Sequence, residues 1–251
     1  MKPPRWSTQT LPFPVPTQRR SVFIALGLLL LVALVLLPLS TLIGRLIALA
    51  LAFSIHEWAH AYAALRLGDR TAYNQGRVTL DPRAHLDVIG FVLALLAGFG
   101  WAKPVPVNPR AFYPNEQRGL LIVAFAGPLS NLVLAAVLGV LLRVVEGLVP
   151  YGEGGALDFF YQVWATVIIF NLALFCFNLV PLAPLDGWKV LLGVLPSQDS
   201  YRLAAYEEQS MRLLLLVLLI GAISPGLSLV GLLLNPPIRF LFELITGLNL
   251  A

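Results

Sequence analysis

The sequence predicts an all-α polytopic membrane protein of five or six transmembrane helices, with a short strand-rich or re-entrant insert after its second span. Three observations predict it. Of 251 residues, 58% are hydrophobic and only 12% charged, too little polar surface to cover a soluble globule of this size. Apolar runs of bilayer length recur, separated by breaks that carry Pro and Gly. Placing the N-terminus and the 66–118 and 187–212 regions on one side collects all of the 17 Lys and Arg except Arg45, Arg143 and Arg239, and that side is then the cytoplasm. The net charge of +4 does not point to nucleic acid, because the basic residues lie beside apolar segments rather than on one polar face. The single cysteine, Cys176, sits in an apolar stretch, so neither an intramolecular disulfide nor a cysteine metal cage is available and packing is its reading.

Residues 1–20 are polar and carry Pro3, Pro4, Pro12, Pro14 and Pro16, which predicts a mobile cytoplasmic tail. Ser21 to Leu39 is too long for a signal-peptide core and lacks a small-x-small cleavage site, so it reads as a retained first span. The second span, Thr41 to Leu67, is stopped by Gly68. The 74–82 stretch alternates polar with apolar and reads as extended. Leu86 to Phe99, which follows it, is too short and Gly-broken to cross, and the charge topology also requires that it not cross. Pro104, Pro106, Pro109 and Pro114 make 101–119 an interfacial loop. Leu120 to Val145 and Phe159 to Pro181 are further spans, with Glu146, Glu153 and Asp158 in an outer loop. Met211 to Leu248 holds two spans, interrupted at Ser224-Pro225-Gly226 and again at Asn235-Pro236-Pro237. Residues 21–251 thus form one integral membrane domain, with a core of about 41–190 and C-terminal helices over about 209–248.

The chemistry lies in the second span. His56, Glu57 and His60 form H-E-x-x-H, and on a helix residues four apart share a face, so both imidazoles can grip one Zn²⁺ with Glu57 beside them to move protons. A buried histidine pair that only makes hydrogen bonds is the competing reading, but ionisable groups at membrane depth are costly without a partner or task. A catalytic zinc takes three protein ligands and keeps one open position. The best-placed third ligand is Asp186, at the end of Asn178-Leu179-Val180-Pro181-Leu182-Ala183-Pro184-Leu185-Asp186-Gly187, where two prolines unwind the exit of a span and let the side chain turn back; an ordinary turn at a helix exit is the alternative. His85 reads as a hydrogen-bonded structural residue. Gly127, Pro128, Ser130 and Asn131 read as helix packing, with Asn131 a candidate for a contact behind the site, and Asn171 faces the same choice with the same answer. Trp101, Phe112, Tyr113 and Trp188 read as an interfacial belt.

The chain resembles the site-2 protease family of intramembrane zinc metalloproteases. The resemblance runs from about residue 50 to 190, through His56-Glu57-Trp58-Ala59-His60, Gly76 to Pro82 with His85, Phe99 to Pro109, Ala126 to Asn131, and Asn178 to Gly187. It implies one zinc per chain held by His56, His60 and Asp186, Glu57 as catalytic base, and Asn178 holding the substrate backbone or oxyanion. It further implies single-span membrane proteins as substrates, cut near the cytoplasmic face within the lipid bilayer of the cell's inner membrane. Nucleic acid is not an expected partner. Trp188 and Val88 depart from the family pattern without touching an expected ligand, and neither a PDZ insert nor a nucleotide-sensing CBS domain fits the chain, so a minimal member is expected. The alternative is a proteolytically inactive scaffold with a structural zinc, against which an intact Glu57 argues. Prenyl-protein proteases would need a later glutamate ligand with its own motif, and a metal transporter would need several ionisable clusters along a path.

Overall fold

The computed structural model describes residues 37–97, 100–149, 151–152, 155–224 and 228–249, with positions 27, 28, 31, 32 and 35. The expected tail, most of the first span, Glu153 and the 225–227 break lie outside the described residues. Among the described residues the α-helices are, in chain order, α1 Leu39–Arg66, α2 Thr71–Asn74, α3 Pro82–His85, α4 Val88–Ala97, α5 Glu116–Leu148, α6 Ala156–Asn178, α7 Asp186–Val194, α8 Ser197–Ala204, α9 Glu207–Ile223 and α10 Leu229–Thr246. Four of them, α1, α5, α6 and α10, are long and apolar enough to cross a membrane, which makes the chain a membrane protein.

Helices α1, α5 and α6 pack on one another, α7 lies against α5, and α10 lies against α5 and α6. Lipid tails are as apolar as leucine, so association in a bilayer depends on close contact rather than on escape from water. The interfaces are accordingly tight: Ala48, Leu49, Ala52, Ala135, Leu142, Ile168 and Leu172 are fully buried. Ala135, Leu142, Tyr161, Ile168, Leu172, Ile238 and Phe242 join α5, α6 and α10, while Leu42, Leu49, Phe53, Ala94 and Leu95 join α1 to α4.

Two expectations are corrected. No strand forms among the described residues, and 75–81 lies in turns and bends, because a lone extended segment there has no partner ladder to satisfy its backbone. The expected break at Asn235-Pro236-Pro237 is absent: α10 runs through both prolines, which apolar helices tolerate where neighbouring groups make up for the lost hydrogen bonds.

The segment after α3 is an excursion that returns to its starting point. Its outward leg is α4, and residues 100–102 come back beside it. A Cβ on Gly90 would overlap the Trp101 carbonyl, and one on Gly100 would overlap the Gly90 carbonyl and Ala94, so only glycine allows the two legs this close. The feet are joined by the Lys103 N–H donating to His85 O at 2.7 Å. At the far end the last carbonyls of α4 have no helical partner, and Arg45 of α1 donates Nη1 to Leu95 O at 2.7 Å and to Leu96 O at 3.0 Å. This cap gives Arg45, one of the basic residues outside the charge-rich side, a structural task. Arg45→Leu is expected to destabilise the protein by about 1–3 kcal/mol, because it strands two carbonyls in apolar surroundings. A lower melting temperature in detergent, with early proteolysis within 86–102, is the result that checks it.

Candidate metal centre

Helix α1 turns His56, Glu57 and His60 inward, where they are 6%, 8% and 8% exposed. Gly127 of α5 passes directly over the two imidazoles; a Cβ there would overlap His60 Nε2 and crowd His56, so the approach of α5 to the histidine face requires glycine. The rings meet edge to face, with centroids 4.6 Å apart.

Each imidazole is oriented from behind. His60 Nδ1 lies 2.7 Å from the Val123 carbonyl, which only accepts, so Nδ1 carries the proton and Nε2 the lone pair. His56 Nδ1 lies 2.7 Å from Asn131 Oδ1. The Asn131 amide nitrogen donates to Ala52 O at 3.1 Å and to Asn171 Oδ1 at 2.9 Å, and Asn171 in turn donates to Val167 O at 2.9 Å, so the carbonyl end of Asn131 faces His56 and accepts from it. Asn131 and Asn171 are both fully buried. They are therefore more than the packing residues the sequence suggested: together they hold one imidazole in a fixed tautomer. An asparagine on the apolar face of a span, three residues after Gly-Pro, was the signal available.

Asp186 arrives from the other side. Residues 179–185 leave α6 as a run of turns containing Pro181 and Pro184, as expected, and Asp186 opens α7. The loop is held by the Ala183 N–H donating to Ser210 Oγ of α9 at 2.9 Å, and Gly187 packs onto the carbonyls of Leu179 and Val180 so closely that any side chain would overlap them. Asp186 Oδ2 then lies 3.1 Å from His56 Nε2 and 3.1 Å from His60 Nε2, which are themselves 3.1 Å apart.

Two imidazoles protonated at Nδ1 and one carboxylate aim three lone pairs at a single point, and a cation there makes the arrangement favourable. Tetrahedral zinc with ligand bonds of about 2.0–2.1 Å sets neighbouring donor atoms roughly 3.3 Å apart, close to the triangle observed. Among the described residues this is the one cluster of His, Cys, Asp or Glu side chains that could hold a metal ion. Asn131→Leu is expected to weaken zinc binding about 10- to 100-fold by freeing the His56 ring, as a chelator competition titration will show.

Glu57 stands next to the triangle with Oε2 accepting the Val105 N–H at 3.0 Å. Asn178, at the end of α6, donates its amide to Leu174 O of its own helix at 3.1 Å and is not one of the three donors of the triangle. His85 is fully buried and hydrogen-bonded outside the cluster, in line with a structural role. Trp188 and Phe112 are 5% and 6% exposed, so they belong to the protein interior and not to the belt expected of them; Tyr113, at 81%, is exposed. Cys176 packs against the core formed by α5, α6 and α10.

Neither a family model nor a solved structure matches the chain. Three relatives do. "Putative zinc metalloprotease YwhC" of Bacillus subtilis is 47% identical over 165 residues, which are 63% of this chain and 72% of that protein. "Putative zinc metalloprotease Rip2" of Mycolicibacterium smegmatis is 29% identical over 198 residues, 76% of this chain and 67% of that protein. "Putative zinc metalloprotease MJ0611" of Methanocaldococcus jannaschii is 31% identical over 147 residues, 58% and 68% of the two chains. With a donor set that suits zinc at the meeting point of α1, α5 and α7, and with relatives of this likeness and coverage, the chain belongs to the family of zinc metalloproteases that YwhC and MJ0611 represent.

Proposed function

We propose that the chain is an intramembrane protease of the site-2 protease kind, which cuts transmembrane segments of single-span membrane proteins near the cytoplasmic face. The observation that supports this reading best is that two of the three donors, and Glu57 with them, are carried by a helix long and apolar enough to span a bilayer. A helix lying in the same bilayer can approach such a site from the side.

In this reading His56, His60 and Asp186 hold the zinc, which when bound supplies a Lewis acid for water and for the scissile carbonyl. Glu57 takes the proton of the attacking water and delivers it to the leaving amine. The Asn131–Asn171 pair keeps the His56 lone pair aimed inward. Asn178 steadies the unwound substrate backbone or the developing oxyanion once its amide exchanges Leu174 O for that partner. A substrate helix hides its peptide bonds in its own hydrogen bonds, so it must open locally before cleavage. Counting the 21–39 run and α9 with the four span-length helices gives six crossings, with 86–102 entering and leaving on one side. The N-terminus and the mouth of the site then face the cytoplasm, as the basic residues require.

The test compares the membrane proteome of cells carrying the wild-type chain with that of cells carrying Glu57→Gln. Single-span proteins that persist uncut only with the variant support the reading and name the substrates. Identical proteomes, with both proteins zinc-loaded, overturn it.

A further inference from the structure

The segment Lys103-Pro104-Val105-Pro106-Val107-Asn108 crosses in front of Glu57 and is fastened along its whole length. At its start, Lys103 donates its N–H to His85 O, and its carbonyl accepts from Arg77 Nη2 at 2.6 Å. His85 Nε2 lies 2.8 Å from the Thr79 carbonyl and therefore carries the ring proton, which leaves Nδ1 as an acceptor 3.5 Å from the same Arg77 nitrogen. His85 and Arg77 are both buried, so the clasp is shielded from water. At its end, the Asn108 N–H donates to Asp69 Oδ2 at 2.7 Å, while Asp69 Oδ1 accepts from the Thr71 N–H at 2.8 Å. Asp69 is itself tied to the end of α1 through its N–H and Ala64 O. Between the anchors, Pro104 and Pro106 fix their own φ, and Lys103 and Val105, each preceding a proline, are confined to extended conformations. From the middle of this stiff strap the Val105 N–H donates to Glu57 Oε2 at 3.0 Å.

The geometry points to the strap as a positioning element for Glu57: the Val105 amide fixes one carboxylate oxygen and the orientation of the other, and the Arg77–His85 clasp and Asp69 hold that amide in place. Free to rotate, a glutamate side chain samples several rotamers, and a displacement of about 1 Å at a reacting group costs on the order of 100-fold in rate. One bond from an anchored backbone removes that freedom while leaving an oxygen for proton transfer. The inference rests on the reading of Glu57 as the group that moves the proton.

The experiment measures kcat, KM and zinc content on a single-span reporter in proteoliposomes. The proteins compared are wild type, Glu57→Gln, Val105→Ala, Val105→Pro and Arg77→Ala. Val105→Pro replaces the amide hydrogen by a ring carbon that faces Glu57 Oε2, so it both removes the bond and displaces the carboxylate, in a segment already confined to extended conformations, whereas Val105→Ala keeps the bond. The expected result is a kcat about 10- to 100-fold lower for Val105→Pro than for Val105→Ala, with KM and zinc content the same in both. Arg77→Ala is expected to lower kcat in the same selective way, and it decides the matter if Val105→Pro does not fold. Equal kcat in Val105→Pro and Val105→Ala overturns the inference. So does a rise in kcat, which would make the bond a restraint that substrate must break. Failure of the reading of Glu57 looks different: Glu57→Gln would then cleave as fast as wild type.

Discussion

Replacing Asp186 by alanine is expected to lower zinc affinity by well over 100-fold and to take proteolysis to background. The magnitude follows from a comparison: loss of a group that only orients a metal ligand costs about 10- to 100-fold in affinity, and Asp186 belongs to the triangle itself. It also supplies the negative charge, because His60 and His56, donating Nδ1–H to Val123 O and Asn131 Oδ1, offer neutral Nε2 lone pairs. No second His, Cys, Asp or Glu cluster among the described residues can substitute for it. Chelator competition on purified protein gives the affinity, and metal analysis after dialysis gives the content. Asp186→Ala that keeps zinc as tightly as wild type would mean that the loop from Leu179 to Leu185 serves some other end.

That loop was legible in the sequence because its physics is local. Pro181 and Pro184 each deny the backbone a helical hydrogen bond, which favours an unwound exit from α6, and the carboxylate two residues later falls at the new helix start; Pro236 and Pro237, carried inside α10, show that prolines alone do not force such a break. The H-E-x-x-H pair was legible for the same reason, since four-residue spacing fixes a shared face before any tertiary contact exists. Length and charge set the expectation that the 86–99 run does not cross the bilayer. What the sequence left hidden depends on which faces of distant helices meet. Asn131 and Asn171 are 40 residues apart, and nothing local says that one bonds the other and then His56. Trp188 has the composition of an interfacial residue but is buried, because Gly187 draws α7 tightly under the carbonyls of Leu179 and Val180. The Val105 bond to Glu57 spans 48 residues and uses a backbone group, which every residue but proline possesses and no motif marks.

Glu57→Gln in purified protein is expected to reduce cleavage by about 100- to 10,000-fold while zinc content and melting temperature stay at wild-type values. The separation of these readouts follows from the geometry. Glutamine is nearly isosteric with glutamate, and its amide oxygen still accepts the Val105 N–H, so the strap and the side-chain rotamer are preserved. Glu57 lies outside the triangle of donor atoms, so its replacement takes nothing from the metal. Only the basic oxygen that can hold a proton is lost. Glu57→Asp discriminates further: it restores a base but shortens the side chain by one methylene, pulling the carboxylate away from Val105 and from the reacting atoms. If proton transfer is the whole contribution, Glu57→Asp recovers most of the rate; if position matters as much as basicity, it stays within about tenfold of Glu57→Gln. The strap between Lys103 and Asn108 argues for the second outcome, because an amide anchored at three points fits only a carboxylate of glutamate's reach.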